Sequence, residues 1–216
     1  MSLTLYFHPL ASYCWKVLIA LYEGEIPFAP HQIDLAKPEE RDELERVWPV
    51  AKFPVLRDEV RHEVVPESTI IIEYLALHYP GKAALVPAEP DRARETRLRD
   101  RFYDLYVHDP MQRIVADRLR PPAERDPVGV EQWHAKFEVS YGMVETEMAT
   151  KTWAMGDTFT LADCAAAPAL YYANRVHPFG PAHSNVARYL ARLTARPSFA
   201  RVLREAEPYF KLFPEG

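Results

Sequence analysis

Every strand-like run in this chain lies within its first 66 residues, and every pattern beyond residue 91 is helical. That asymmetry restricts the fold to a small mixed α/β unit followed by an all-α unit. Leu3-Thr4-Leu5-Tyr6-Phe7 is a short strand-like run stopped by His8-Pro9. From Tyr13 to Tyr22, apolar residues recur at Cys14, Val17, Leu18 and Leu21, the spacing of one helix face, and Gly24 is placed to end that helix. A second strand is predicted over 28–35 and a charged, mostly solvated helix over 38–47. Two more strands over 53–56 and 62–65 precede a helix over 69–77. The order is βαβαββα, ending near Tyr79.

Pro80, Pro87 and Pro90 then mark a linker. The expected organisation is an α/β domain over 1–80, a linker over 81–91 and an all-α domain over 92–216. The first helix of the second domain runs over 92–107, with Leu98, Phe102, Leu105 and Tyr106 as its apolar side. Pro110 should break or kink it before it resumes over 111–118. Further helices are predicted over 130–150, from Thr160-Leu161-Ala162-Asp163 onward, and over 185–193 and 198–206. The Thr160 start has the form of a capping box, with Asp in place of the usual Glu or Gln.

Composition removes several function classes. Hydrophobic residues make up 48% of the 216, enough for a real core, so global disorder is not expected. A formal net charge of −5 argues against nucleic acid or an anionic membrane as partner. No apolar run approaches the ~20 residues of a membrane span, and the first residues do not read as a signal peptide. Two cysteines, Cys14 and Cys164, fit a reducing cytoplasm better than a disulfide framework. The eight histidines form no i,i+3 or i,i+4 pair and there is no Cys-x-x-Cys, so no metal site is predicted. The glycines are dispersed, without a phosphate-binding loop.

The chemistry-bearing stretch is Lys52-Phe53-Pro54-Val55-Leu56, followed by Pro66-Glu67-Ser68 at the start of a helix. A proline entering a strand suits only an edge, a bulge or a tight turn, and a cis bond there would mark a fixed backbone shape. Ser68 stands where an N-cap is expected, at a helix mouth whose free amides favour an anion. Together they make a place to dock a small peptide with a carboxylate.

Three motifs, Phe53-Pro54-Val55-Leu56, Pro66-Glu67-Ser68-Thr69-Ile70 and Phe159-Thr160-Leu161-Ala162-Asp163, in this order, resemble those of the soluble glutathione transferases. The resemblance covers nearly the whole chain. Tyr13-Cys14-Trp15-Lys16-Val17 is similar to the first helix of bacterial members near the theta and zeta classes. The resemblance implies a thioredoxin-like N-terminal domain, glutathione as co-substrate and no metal. It also implies a homodimer in detoxification that adds glutathione to a small hydrophobic electrophile. The backbone of Phe53, ahead of Pro54, would pair with the cysteinyl part of glutathione. Glu67 and Ser68 would hold its γ-glutamyl end, and Lys52 its glycine carboxylate. An acid from the other subunit, Asp100 or Asp104, would approach its ammonium. Read by themselves, Lys52 is equally a solvated strand-end charge and Glu67-Ser68 an ordinary helix cap.

Thiol activation is where the chain departs from that pattern. The usual serine position falls on Ala11, which has nothing to donate. Ser12 is the first candidate in its place, although it also reads as a plain helix cap, and Tyr13 is the second. Cys14 lies on the apolar face and reads as a buried thiol; if exposed, it would support thiol transfer instead. His8, Leu10, Tyr103, Tyr106, Val107 and Met111 are candidates for an apolar electrophile pocket, although aromatics at helical spacing also read as core. Two other functions stay open: a non-catalytic binding or regulatory protein, and a Cys14-dependent thiol transferase.

Overall fold

A computed structural model describes residues 2–214; residues 1, 215 and 216, at the ends of the expected domains, lie outside the described residues. Strands β1 (Leu3–Phe7), β2 (Ala29–Gln32), β3 (Val55–Asp58) and β4 (Glu63–Pro66) form one mixed sheet in the order β2-β1-β3-β4. β1 runs parallel to β2 and antiparallel to β3, which runs antiparallel to β4. A parallel pair needs a crossover, and α1 (Ser12–Gly24) supplies it. Helices α2 (Pro38–Val47) and α3 (Ser68–His78) complete the expected βαβαββα order.

Alternation along the strands separates two faces. Leu3, Leu5, Leu56 and Val65 join Val17, Leu21, Ile71 and Leu75 of α1 and α3 in the main core. Tyr6 and Val55 point the other way, against Ile33 and Leu44 of α2. The helical part comprises α4 (Pro90–Phe102), a π-helical turn (Tyr103–His108) and α5 (Asp109–Arg118), then α6 (Pro127–Met148), α7 (Leu161–Val176), α8 (Ser184–Ala195) and α9 (Pro197–Ala206). The main core runs unbroken from the sheet into α7, where Trp15 of α1 packs on Tyr172 with ring centroids 4.7 Å apart. Among the described residues, no helix is long and apolar enough to cross a membrane.

Three expectations are sharpened or corrected. α1 ends at Gly24 as expected, and the left-handed turn after it falls on Glu25 at φ 50°. Gly24 matters also because Gly81 crosses it so closely that a Cβ on Gly81 would collide with the Gly24 carbonyl oxygen. Ahead of Pro110 the regular α-helix is interrupted, by the π-helical turn rather than by an open break, and it resumes as α5; Ser140 of α6 donates to the Tyr106 carbonyl at 2.7 Å. That carbonyl is the one whose i+4 partner, Pro110, has no N–H.

The third correction concerns α4. Leu98, Leu105 and Tyr106, read as its apolar side with Phe102, are more than half exposed, whereas Asp100 and Asp104 are buried. Apolar periodicity located the helix but mistook which side turns inward.

The capping box at α7 is present, and its acid does more than cap. Asp163 accepts from the Thr160 N–H at 2.8 Å, from the Ala154 N–H at 2.8 Å and from the Tyr189 hydroxyl at 2.6 Å, all buried. Asp163→Ala should therefore lower the unfolding free energy by about 3 kcal/mol, because it strands three buried donors. A urea-midpoint shift worth only the ~1 kcal/mol of an ordinary cap would show that the other two bonds contribute nothing.

Candidate functional site

Strand register brings three loops to one end of the sheet. Tyr6 of β1 faces Val55 of β3, and Val55 faces Pro66 of β4. The chain therefore leaves β1 for α1, enters β3 through Phe53-Pro54, and leaves β4 for Glu67-Ser68 all on the same side. The Phe53-Pro54 peptide bond is cis. Pro54 is buried, Phe53 half-buried and Lys52 exposed. The His8 ring stacks on Phe53 with centroids 6.0 Å apart, and its Nδ1 accepts the Leu10 N–H at 3.1 Å. Burial lowers the His8 pKa, outweighing the upward pull of Asp34 and Glu40. Tyr209, from the C-terminal turn Glu207–Leu212, meets His8 edge-on at 5.9 Å.

Two helix mouths open there. α1 begins at Ser12 with Ala11 as N-cap and no side-chain cap. Among the described residues, nothing accepts from the Ser12 and Tyr13 N–H groups, so the positive end of the helix is free for an anion. α3 begins at Ser68, which makes Glu67 rather than Ser68 the N-cap. Glu67 has a φ of 70°, a left-handed conformation rare for a side-chain-bearing residue, and its side chain is exposed. The Ser68 side chain is buried just inside the mouth.

The candidate donors at α1 differ in their surroundings. The Ser12 hydroxyl is hydrogen-bonded to Nε2 of His108, with Ser12 6% and His108 2% exposed. Burial and then the nearby Lys16 cation push the His108 pKa down to about 3, so its ring is neutral. Tyr13 is half-buried and meets the His108 ring edge-on at 4.0 Å. Burial, and then Asp104 and Asp109, raise its phenol pKa and keep it protonated. Cys14 is fully buried, and burial raises its thiol pKa. A thiol sealed in the core cannot meet a ligand, which removes the Cys14-dependent thiol transferase.

Beneath both mouths lies a buried ion cluster. Lys16 of α1 is 1% exposed, with Nζ 2.5 Å from Asp100 and 2.8 Å from Asp104 of the α4 segment. The same ammonium donates to Thr69 Oγ1 of α3 at 2.8 Å, and Thr69 donates to Asp100 at 2.8 Å. Arg101 donates to Thr69 at 2.7 Å and pairs with Asp104. Burial raises the Asp104 pKa against the pull of Lys16. Asp104 is thus committed inside its own chain, and the expectation that it reaches a ligand in the other subunit is revised.

The expected electrophile pocket does not assemble as a unit. His8 and Leu10 lie at the loop before α1, and Leu10 is tied by its carbonyl to the Tyr172 hydroxyl at 2.9 Å. Tyr103, Val107 and Met111 are buried core residues. Tyr106 opens instead on an apolar cleft of about 570 Å³ shared with Phe102, Leu105, Trp133 and Met143. His108 and Arg101 had no place in the sequence reading, and Lys16 entered it only within the first-helix motif, with no role of its own. A lysine beside the apolar face of α1 and two acids four residues apart, one on α4 and one in the π-helical turn after it, were the available signals for the cluster. His108 had none, because only the π-helical turn brings it to Ser12.

Two family models match the chain: glutathione S-transferase N-terminal domain over residues 5–83, and glutathione S-transferase C-terminal domain over residues 102–197. The Escherichia coli (strain K12) glutathione S-transferase GstB is 28% identical over 193 residues, covering 87% of this chain and 91% of GstB. A Caenorhabditis elegans protein named "Probable maleylacetoacetate isomerase" is 28% identical over 208 residues, covering 94% of each. A solved glutathione S-transferase from Methylobacillus flagellatus KT, with GSH bound, superposes with a TM-score of 0.85 at 26% identity. That match covers 93% of this chain and 98% of the other.

The cluster yields a stability prediction. Lys16→Met leaves two buried carboxylates without their shared cation, and it should lower the unfolding free energy by about 3–5 kcal/mol. Denaturant unfolding checks this, and a shift below about 1 kcal/mol would mean the acids are adequately held by Thr69 and Arg101.

Proposed function

This chain belongs to the glutathione S-transferase family, and we propose that it binds glutathione across the three converging loops, stabilises its thiolate and adds it to a small hydrophobic electrophile. It is an enzyme of that family, by its likeness to GstB and to the isomerase-named relative. The observation carrying the proposal is the register Tyr6–Val55–Pro66, which brings a strand end and two open helix mouths to the same end of the sheet.

In this reading, an extended tripeptide lies beside Phe53. β3 begins only at Val55, so the main-chain groups of Phe53 are available to its cysteinyl part as an added strand. The α3 mouth at Glu67 and Ser68 takes the γ-glutamyl end: amides and the Ser68 hydroxyl for its carboxylate, Glu67 for its ammonium. Lys52, exposed on the approach to Pro54, takes the glycine carboxylate.

The sulfur then lies at the α1 mouth, where Ala11 offers no side-chain donor. Lowering a thiol by about two units from ~8.5 needs roughly 2.7 kcal/mol of preference for the thiolate. One hydrogen bond to a charged group supplies about 1.5–3 kcal/mol and a helix N-terminus about 0.3–1 more. The free amides of Ser12 and Tyr13 meet that requirement from the backbone, and the Ser12 hydroxyl adds to it. Catalysis follows from the raised thiolate fraction and the fixed position of the sulfur. The protein acts in this reading as a cytoplasmic homodimer in detoxification; two unpaired cysteines suit a reducing compartment, and exposed Leu98, Leu105 and Tyr106 give a partner an apolar face.

Ultraviolet difference absorbance of bound glutathione against pH tests the proposal, with conjugation of a generic aryl halide as the activity readout. The bound thiol should ionise about two units below the free one. Ser68→Ala should weaken glutathione binding about tenfold, the value of one hydrogen bond to a carboxylate. If bound glutathione ionises no more readily than free glutathione, the catalytic reading fails and a binding or regulatory role takes its place.

A further inference from the structure

We propose that His108 is a positioning residue for the thiolate: its Nε2–H holds the Ser12 oxygen and leaves the Ser12 hydroxyl hydrogen for the sulfur at the mouth of α1. The inference rests on the reading that glutathione docks its sulfur there. Its ground is a bond between residues 96 positions apart, both nearly sealed from water, at the first residue of the helix that faces the ligand.

The fold delivers this histidine by an irregularity. Residues 90–118 would form one α-helix, but the stretch Tyr103–His108 is π-helical and ends on His108. A π turn changes the helical register of the residues beyond it and recurs at functional sites. Ser140 secures the turn by donating to the Tyr106 carbonyl. The ring of Tyr13 packs edge-on against His108 and fixes its tilt.

Proton placement decides what the bond does. A neutral imidazole carries one N–H, on either nitrogen. Among the described residues, Nδ1 of His108 has no hydrogen-bond partner. A neutral imidazole intrinsically favours the Nε2–H form, and Nδ1 makes no bond within the described residues that would reverse that preference. The hydrogen therefore sits on Nε2 and is donated to Ser12 Oγ. Ser12 keeps its own hydrogen, which swings about Cβ–Oγ toward the helix mouth. The chain Nε2–H to Oγ–H to sulfur is polarised in one direction, each bond strengthening the next. No proton passes along it; the thiol proton leaves for solvent. The opposite tautomer would spend the Ser12 hydrogen on His108, leaving Ser12 only able to accept from S–H and so favouring the neutral thiol. Lys16, the cation that faces His108, joins burial in keeping the ring neutral.

Long-range ¹H–¹⁵N correlation spectra of the protein, labelled at histidine and assigned through NOEs between the His108 and Tyr13 rings, read the tautomer directly. An Nε2-protonated, neutral His108 is expected; an Nδ1-protonated ring overturns the proposal, even if no His108 variant folds. The bound thiol pKa supplies the functional readout. His108→Leu and Ser12→Ala should each raise it by about one unit, tenfold in thiolate fraction, with glutathione affinity falling only at pH values above the bound thiol's pKa. The double variant should shift no further, and His108→Gln, whose amide N–H can donate to Ser12, should recover most of the loss. A wild-type pKa in His108→Leu, or additive shifts in the double variant, overturns the inference. A lowered wild-type thiol pKa that Ser12→Ala leaves untouched sinks this inference alone. A wild-type protein that does not lower the thiol pKa sinks the functional reading beneath it.

Discussion

Burying Lys16 is the constraint on which the rest of the arrangement depends. An ammonium removed from water loses several kcal/mol of solvation, so it can stay folded only with carboxylates brought to it. Asp100 and Asp104 reach it from the α4 segment, and Thr69 from α3 completes its contacts. One cation thereby fixes α1, α3 and the α4 segment relative to one another. Since α1 and α3 each open a mouth at the same end of the sheet, the same cluster sets the spacing between those two helix ends.

The cluster also explains the inverted face of α4. Leu98, Leu105 and Tyr106 would be the natural inward residues by hydropathy alone. The requirement of a buried ion for its partners overrides that preference and turns the acids inward. The displaced apolar side chains then form an outer surface suited to a partner. Burial of one charge in this way shapes both the interior and the exterior of the helical part.

In the proposed reading, chemistry at the candidate site comes mainly from the main chain. Ala11 removes the side-chain donor, yet the amides after it remain unclaimed and point from a thirteen-residue helix. A backbone donor needs no particular residue type, which is why its loss could not be inferred from an alanine. The neutral His108 beside Ser12 adds a directional refinement to that electrostatics, and it comes from the helical half of the molecule. On that proposal the site draws on both halves of the molecule.

Much of the fold was legible in the sequence because it rests on local rules. The strand-like run Leu3–Phe7 stopped by His8-Pro9, the helical spacing from Cys14 to Leu21 and the Thr160–Asp163 box each declare an element within a few residues. The order of Phe53-Pro54, Glu67-Ser68 and Thr160–Asp163 was enough for the family resemblance. Side-chain partnerships were not legible, because Lys16–Asp104, Ser12–His108 and Tyr189–Asp163 join residues far apart in the chain. Tyr103 and Met111 had the right composition for a pocket, but their helix faces the core at those positions. The sequence by itself determined the elements, their order and the strand end and helix starts suited to a peptide, since these depend on near neighbours. Only tertiary structure decided which charges are buried, which way Ser12 turns and what meets it, since those outcomes depend on how helices pack and on one π-helical turn that shifts the register before His108.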